Sequence, residues 1–600
     1  MSHNLITIRR KLAPDGPSLL DRLREVMDRN RVLTQGDCQR IAREAGVPEA
    51  QVFGVATYYG DFAFVKRGKR RVHACVGTAC YASRGHLHVE QLERALGVQL
   101  GHTRADGEVS LEPTYCLGYC NDGPSVMVSE PADGHERKTL WTRVDAGRAQ
   151  QIARGDSPDA RTRGDVPPVI EAKVGPAIVL RNMVEGRHAV TLADARALGV
   201  YDVWQRAVLE DSGKRVLDEV TTALLRGRGG AGFSTGQKWQ FAAAQPAGEK
   251  FVVCNADEGD PGSYIDKWLL ELDPHSVIEG MALAGLAIGA QRGYIYVRSE
   301  YPAAVAVLRE AVREARNAGI LGAPQGPRNV RFDVDVFEGA GSYVCGEETA
   351  LLRSLEGLRG MVSARPPYPA VKGLFERPTV VNNVETLINV PWIVANGGAA
   401  FGAIGVGKSR GTKAICLNEL FERPGLYEVP LGVTLRDICM TMGGGLKSGR
   451  AIKALQIGGP LGGIVPAKFL DAPLGFEEID AVGGLLGHGG IVAFDEQSDM
   501  RELAIHLFEF GDEESCGKCF PCRIGMRRGL ELVRGLRDGT QTPPDPAGML
   551  TELCDTMQFG SLCAHGSGLP APIRSILTHY RDELLAPPRP SPSRAIGDAE

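Results

Sequence analysis

The stretch Arg226 to Trp239, RGRGGAGFSTGQKW, decides how the rest of the chain is read. Five glycines fall within residues 226–236, interleaved with Arg228, Ser234 and Thr235 and followed by Lys238. Glycine costs backbone entropy on folding, so a run this dense serves close backbone approach or positive φ. Backbone N–H groups left free beside Arg and Lys make a concave anion site suited to a phosphate. Phe233 and Trp239 add flat apolar surface on which a fused ring system can pack. Gly227, Gly229 and Gly232 spell G-x-G-x-x-G, but the usual dinucleotide fingerprint follows a strand. Here Val216, Leu217, Val220, Leu224 and Leu225 precede it with helical spacing. The stretch therefore predicts a ligand loop in an α/β domain entered from a helix.

Around that loop, 600 residues imply about three to five domains. A net charge of −5 makes no electrostatic case for nucleic acid. No apolar run approaches the ~20 residues needed to span a bilayer, so no direct membrane insertion is expected. The N-terminus lacks the apolar core of a signal peptide, which predicts a cytoplasmic protein. In that reducing compartment fourteen cysteines argue for metal ligation before disulfides.

Towards the N-terminus, Leu19, Leu20, Leu23 and Val26 share one helical face, and helices this short need a partner to pack on. Residues 69–147 read as a small α/β unit with strands at Arg71–Cys75 and Ser125–Val128. It carries Cys75-x4-Cys80 and Cys116-x3-Cys120, two pairs at strand-to-loop transitions that can converge four thiolates. Zinc ribbons favour C-x2-C, so these wider spacings suit a [2Fe–2S] cluster better. His86 and His88 are two apart and face differently, which argues against a metal pair there. The pattern resembles the thioredoxin-like [2Fe–2S] subunit of respiratory complex I.

Towards the C-terminus, Lys250–Asp260 reads as a buried strand running into an acidic loop. Asn255, Asp257 and Glu258 fall at the strand end, where open α/β sheets place ligands. Gly341–Ala350 is expected to repeat the strand–Gly–acid arrangement at Gly346, Glu347 and Glu348, and Asn382, Asn383 and Thr386 supply further polar groups. Residues about 200–395 resemble the flavoprotein subunit of complex I and the diaphorase subunits of NAD-reducing hydrogenases and NAD-dependent formate dehydrogenases. The resemblance implies that Gly227, Arg228, Gly229, Lys238, Asn255, Asp257, Glu258, Gly346, Asn382, Asn383 and Thr386 hold FMN, with Gly230 and Glu347 in the same cofactor set. It implies that Phe233, Phe241, Asp260, Glu348, Arg365 and Tyr368 contact NAD(H). Asp260, Arg365 and Tyr368 stand where the family commonly has Glu, Lys and Phe. Asp260 and Tyr294–Pro302 resemble the formate dehydrogenase branch.

Further on, Cys516-x2-Cys519-x2-Cys522 places three thiolates round one corner, with a later fourth. This is a [4Fe–4S] arrangement, zinc being its rival. Cys554 and Cys563 both qualify as the fourth ligand, and the family pattern favours Cys563. His565, where the family has an apolar residue, is expected at the surface. Cys38, Cys254, Cys345, Cys416 and Cys439 read as buried packing. Gly402–Ser409, GAIGVGKS, matches a P-loop letter for letter. A P-loop needs a strand before it and a helix after it, and here a loop precedes and a strand follows. A P-loop nucleotide-binding zinc protein is thus the competing class.

The expected fold is multidomain α/β: an N-terminal helical extension (1–68), a thioredoxin-like [2Fe–2S] domain (69–147), a linker (148–172), a Rossmann-like FMN/NAD(H) domain (173–410), a β-grasp domain (411–497), a helical [4Fe–4S] bundle (498–582) and a disordered tail (583–600). The resemblance implies a diaphorase subunit that exchanges hydride between NAD(H) and FMN and passes single electrons through iron–sulfur clusters. No side chain is assigned as a catalytic acid or base. The partner is expected to be a catalytic dehydrogenase or hydrogenase subunit with further clusters: a formate dehydrogenase first, a [NiFe]-hydrogenase next, a quinone-reducing complex I arm third.

Overall fold

The computed structural model describes residues 17–132, 135–158, 166–540 and 543–587. Helices Leu19–Asn30 and Gln35–Ala45 open on reciprocal capping boxes, Ser18 with Asp21 and Thr34 with Asp37, which satisfy orphan backbone donors. Their partner is not the neighbouring α/β unit. Leu20, Leu23, Ile41 and Val52 share a core with Phe251, Val253, Tyr294 and Tyr296 of the central domain. Burying each such side chain is worth roughly 1.5–3 kcal/mol relative to exposure. Polar contacts fix the register: Arg24 donates to the Gly339 carbonyl (2.7 Å), Gly60 N–H to that of Gly341 (3.0 Å), and the Tyr59 hydroxyl to that of Leu358 (2.9 Å).

Strands β1 (Arg70–Cys75), β2 (His102–Thr103), β3 (Val109–Thr114), β4 (Val126–Ala132) and β5 (His135–Trp141) form one sheet in the order β2-β3-β1-β4-β5. Helix Ala146–Arg154 packs on it through Ala149 and Ile152. Residues 148–172 are therefore not all linker. Their start completes the cysteine-bearing domain, and β6 (Val169–Glu171) joins a sheet more than 250 residues on. Arg, Asp and Pro content concealed both elements, because an edge strand of three residues shows no alternation.

The central sheet is parallel throughout, with β7 (Phe251–Ala256), β8 (Arg292–Val297), β9 (Asp333–Glu338) and β10 (Thr379–Asn383) in the order β10-β7-β8-β9. β7 is an almost continuous apolar run because helices cover the sheet. One is helix Pro274–Ile288, which packs against helix Val384–Asn396 so closely that a Cβ on Gly280 would lie 2.2 Å from the Leu387 carbonyl oxygen. The residues expected to continue a strand at Gly341–Ala350 instead form a 3-10 turn, Tyr343–Gly346, and helix Glu348–Leu355; β9 is the strand that precedes them.

Next come a short hairpin, β11 (Gly405–Val406) with β12 (Ser409–Arg410), and the six-stranded sheet β16-β15-β17-β13-β14-β6. The latter is built from β13 (Thr412–Leu417), β14 (Gly425–Pro430), β15 (Ile452–Ile457), β16 (Ile464–Pro466) and β17 (Gly490–Asp495) together with β6. The P-loop look-alike falls in the β11–β12 hairpin. Its Ser409 hydroxyl is spent on Glu478 (3.0 Å), and no helix follows to present N–H groups to a phosphate, so the nucleotide reading is withdrawn. Helices Met500–Glu513, Phe520–Asp538, Pro546–Gly560 and Pro570–His579 close the fold, their core continuous with the central domain. Helix Arg581–Leu584 occupies the start of the expected tail; residues 588–600 lie outside the described residues, as do residues 1–16 of the N-terminal extension.

Candidate functional site

Strand register builds the floor of the site. Asn383 of β10 pairs with Asn255 of β7, so the two amides end adjacent parallel strands side by side at their carboxyl edge. The glycine-rich loop lies over that edge. A Cβ on Gly229 would meet the Asn383 Cβ at 2.8 Å, and Gly230, at φ +124°, makes a backbone bridge with Gly487 in the segment that leads into β17. A Cβ on Gly346 would lie 3.3 Å from the Asp257 carbonyl oxygen, and the Asn255 amide donates to the Gly346 carbonyl (2.8 Å). Arg228 is fully buried. Its N–H donates to the Thr386 hydroxyl (2.8 Å) and Nη2 to the Arg410 carbonyl (2.6 Å), while Nε and Nη1 have no partner. A buried cation with two unspent donors is costly without an anion. Asp257 Oδ2 is likewise buried and unpartnered, and burial pushes this carboxyl well above the ordinary range.

The mouth of the cleft has a different chemistry. Phe233, Phe241 and Tyr368 are about half exposed, at 46%, 49% and 57%, although large rings usually bury. Beside them Lys238 reaches Glu348 (3.3 Å) and the Val381 carbonyl (3.1 Å), and Arg365 pairs with both Glu347 and Glu348. The Glu348 charge is thus balanced by two cations.

Several expected ligands are turned to internal work. Glu258, 1% exposed, accepts from the N–H groups of Ile265, Asp266 and Lys267 and from the hydroxyls of Ser263 and Tyr301. It caps helix Ile265–Leu272 and holds the loop from behind. Glu347 caps helix Glu348–Leu355 through Thr349 and Ala350 N–H. Asn382 accepts from the Trp239 indole (2.8 Å), and Asn383 caps helix Val384–Asn396 while donating to Asp266 (2.6 Å).

Two groups escaped the sequence reading. The Tyr343 hydroxyl donates to Asp260 (2.7 Å), and Tyr343 N–H donates to Glu514, whose carboxyl burial pushes up to about 7. His488 follows Gly487 and lies 3.1 Å from Asp266 and 3.6 Å from Glu258. Burial opposes its charge, but Asp266 and Glu258 outweigh burial and hold its pKa up at about 9. Only a strand–Gly–acid pattern at Tyr343 and an isolated His among glycines at 488 hinted at either.

Eight of the fourteen cysteines gather in two sets of four, all free thiols. Cys75, Cys80, Cys116 and Cys120 are buried together, Cys116 and Cys120 sulfurs 3.3 Å apart, and each pair feels the charge of the other. Backbone N–H groups of Gly77, Leu117 and Cys116 point at the Cys75 sulfur, and that of Gly118 at Cys116 (3.3 Å). Such N–H···S donors are what an iron–sulfur site uses to stabilise its thiolates. Cys516, Cys519, Cys522 and Cys563 form the second set, with His565 and Gly566 N–H groups on the Cys563 sulfur. Cys554 lies apart from them, in the helix core beside Arg574 and Asp555. His565 is buried rather than on the surface; its Nε2 bonds to the Gly511 carbonyl (2.9 Å), and burial keeps it neutral by lowering its pKa.

Both sets abut the cleft. The Cys116 sulfur faces the Ser263 carbonyl, and a Cβ on Gly77 would meet Pro261 at 2.9 Å, so the first set packs on the loop that carries Asp260. Tyr343 and Phe510 lie edge-on at 4.9 Å between Asp260 and the helices of the second set. A separate polar cleft of 1280 Å³, lined among others by Arg71, Glu112, Glu300 and Glu514, contains no residue of the glycine-rich loop.

Comparison with known proteins matches residues 7–145 to a thioredoxin-like [2Fe–2S] ferredoxin, 220–392 to the Nuo51 FMN-binding domain, and 502–587 to the NADH-ubiquinone oxidoreductase-F iron–sulfur binding region. The chain is 44% identical over 379 residues to the HndC subunit of the NADP-reducing hydrogenase of Solidesulfovibrio fructosivorans, spanning 63% of this chain and 77% of that one. It is 40% identical over 410 residues to the F 2 subunit of the NADH-quinone oxidoreductase of Rhizobium meliloti, spanning 68% of this chain and 97% of that one. The crystal structure of an air-oxidised NAD+-reducing [NiFe]-hydrogenase superposes with a TM-score of 0.81 at 30% identity, over 97% of this chain and 95% of the hydrogenase chain. The residues present fit the groups those matches imply: a glycine cradle with an unsatisfied buried cation for a flavin phosphate, and two tetrads of thiols for the clusters.

Proposed function

We propose a diaphorase role from the premise that the chain belongs to the family of FMN- and iron–sulfur-dependent NADH dehydrogenase F subunits and their hydrogenase counterparts. The chain exchanges hydride between NAD(H) and FMN at the β7–β10 edge and passes single electrons to or from a partner. Bound FMN supplies the chemistry that links a two-electron carrier to one-electron clusters. The protein's own residues bind and orient. Arg228 and the Gly227–Gly230 backbone take the phosphate end, and Asn255 and Asp257 take ring and ribityl polar groups, with Asn383 holding the strand edge behind them. Phe233, Phe241 and Tyr368 supply an aromatic wall for the adenine half of NAD(H), and Lys238, Glu348 and Arg365 line its entry. Cys75, Cys80, Cys116 and Cys120 would hold the [2Fe–2S] cluster, and Cys516, Cys519, Cys522 and Cys563 the [4Fe–4S] cluster.

One observation carries this reading. The Asp257–Ser263 loop touches the cleft on one side and the first cysteine set on the other, and through Tyr343 it also meets the second set. Holoprotein prepared anaerobically should contain about six iron atoms and one FMN per chain and reduce a dye with NADH. Full iron content with no flavin and no NADH oxidation would end the proposal.

The partner is the finer question. A solved counterpart that spans nearly the whole chain comes from a hydrogenase, which raises a hydrogenase above the formate dehydrogenase expected from Asp260. The complex isolated with its native partner should reduce NAD+ with H2. Reduction with formate and not H2 would favour the formate dehydrogenase instead.

A further inference from the structure

We propose that His86, His506 and Glu509 bind one divalent transition-metal ion that clamps the cysteine-bearing N-terminal sheet domain to the C-terminal helices. A ring nitrogen of each histidine and a carboxylate oxygen of Glu509 all lie within 4.8 Å of one another. The three come from two separate parts of the fold. His86 precedes helix Leu87–Leu96, whereas His506 and Glu509 stand three apart on helix Met500–Glu513 and so share one face.

The surroundings prepare each group for ligation. His506 is 2% exposed, the Tyr81 ring stacks on it at 4.3 Å and 7°, and its Nε2 lies 3.3 Å from the Thr78 hydroxyl, so ring position is fixed. His86 is exposed and gives an ion access from solvent. Arg534 pairs with the Glu509 carboxylate, and carboxylate ligands are commonly held in this way by an outer partner.

Two imidazoles and one carboxylate form a three-ligand set with room for water. It suits zinc, cobalt, nickel or ferrous iron rather than the all-oxygen shells of magnesium and calcium. An ion here would brace the short helix Thr78–Arg84, which carries both Cys80 and Tyr81, against the helices of the second cysteine set.

The test uses iron- and flavin-loaded protein, dialysed against EDTA and titrated with zinc by calorimetry, with elemental analysis alongside. One zinc per chain should bind with micromolar or tighter affinity and raise the melting temperature. His86→Ala, at an exposed position, and Glu509→Gln should each weaken binding by about tenfold or more and abolish the zinc-dependent rise, with iron content unchanged. Wild-type affinity in both variants, or no zinc bound by the wild-type holoprotein, would overturn the proposal.

Discussion

Substituting Gly229 by Ala tests the cradle directly. The added Cβ would lie 2.8 Å from the Asn383 Cβ and 3.3 Å from its Cγ. Gly229 does not occupy the left-handed region, so the whole cost is steric. Asn383 has little freedom to retreat. Its Oδ1 caps helix Val384–Asn396 through Glu385 N–H (2.9 Å), and its Nδ2 donates to Asp266 (2.6 Å). Losing the cap costs about 1 kcal/mol, and losing a hydrogen bond to a charged group about 1.5–3 kcal/mol more. Displacing the loop is the cheaper response, at about 1–3 kcal/mol for one misplaced methyl. That strain falls on the element proposed to wrap the flavin, so FMN should bind about 5- to 150-fold more weakly. The assay is fluorescence titration of FMN into deflavinated protein, with iron content as the check that both clusters survive. Gly54→Ala is the control, since its Cβ meets nothing within 4 Å. Wild-type FMN affinity in Gly229→Ala, with iron retained, would refute the close approach as a binding device.

Other outcomes follow from the same geometry. Lys413 and Glu385 form an ion pair with both side chains fully buried, so Lys413→Met should destabilise by about 3–5 kcal/mol in urea unfolding, and the added change Glu385→Leu should recover part of it. His488 is held protonated, its pKa raised in the fold to about 9, so its contribution to stability is complete below about pH 6.5. That contribution should fade as pH climbs through about 9, and His488→Gln should flatten this alkaline limb of the stability profile. Cys563→Ser should remove the [4Fe–4S] cluster, read as loss of about four iron atoms per chain, whereas Cys554→Ser should retain it and cost only packing.

Where ligand chemistry dictates spacing, the sequence was legible. Cys75, Cys80, Cys116 and Cys120 lie together, as do Cys516, Cys519, Cys522 and Cys563, and the Gly227–Gly232 loop lies over the strand edge. What stayed hidden depends on contacts between distant segments. Glu258 reads as a ligand because it follows a strand, but the helix that begins at Ile265 claims both of its oxygens. Nothing local predicts that Tyr343 reaches Asp260, that His488 approaches Asp266, or that Val169–Glu171 joins β14 as a parallel strand. The P-loop match fails for the same reason: letters specify a turn, while function needs the helix behind it.

The N-terminal helices, by embracing the flavin domain instead of their own sheet, bear on how such proteins diversify. The front part of the chain grips the remainder at several places: a shared apolar core, the Gly60–Gly341 bond, and the bond from Glu419 N–H to the Cys120 carbonyl. A gene split after residue 158 should therefore still yield two polypeptides that find each other and stay together. On this view fusion guarantees equal dosage of the halves, while the folded surfaces already guarantee their attachment.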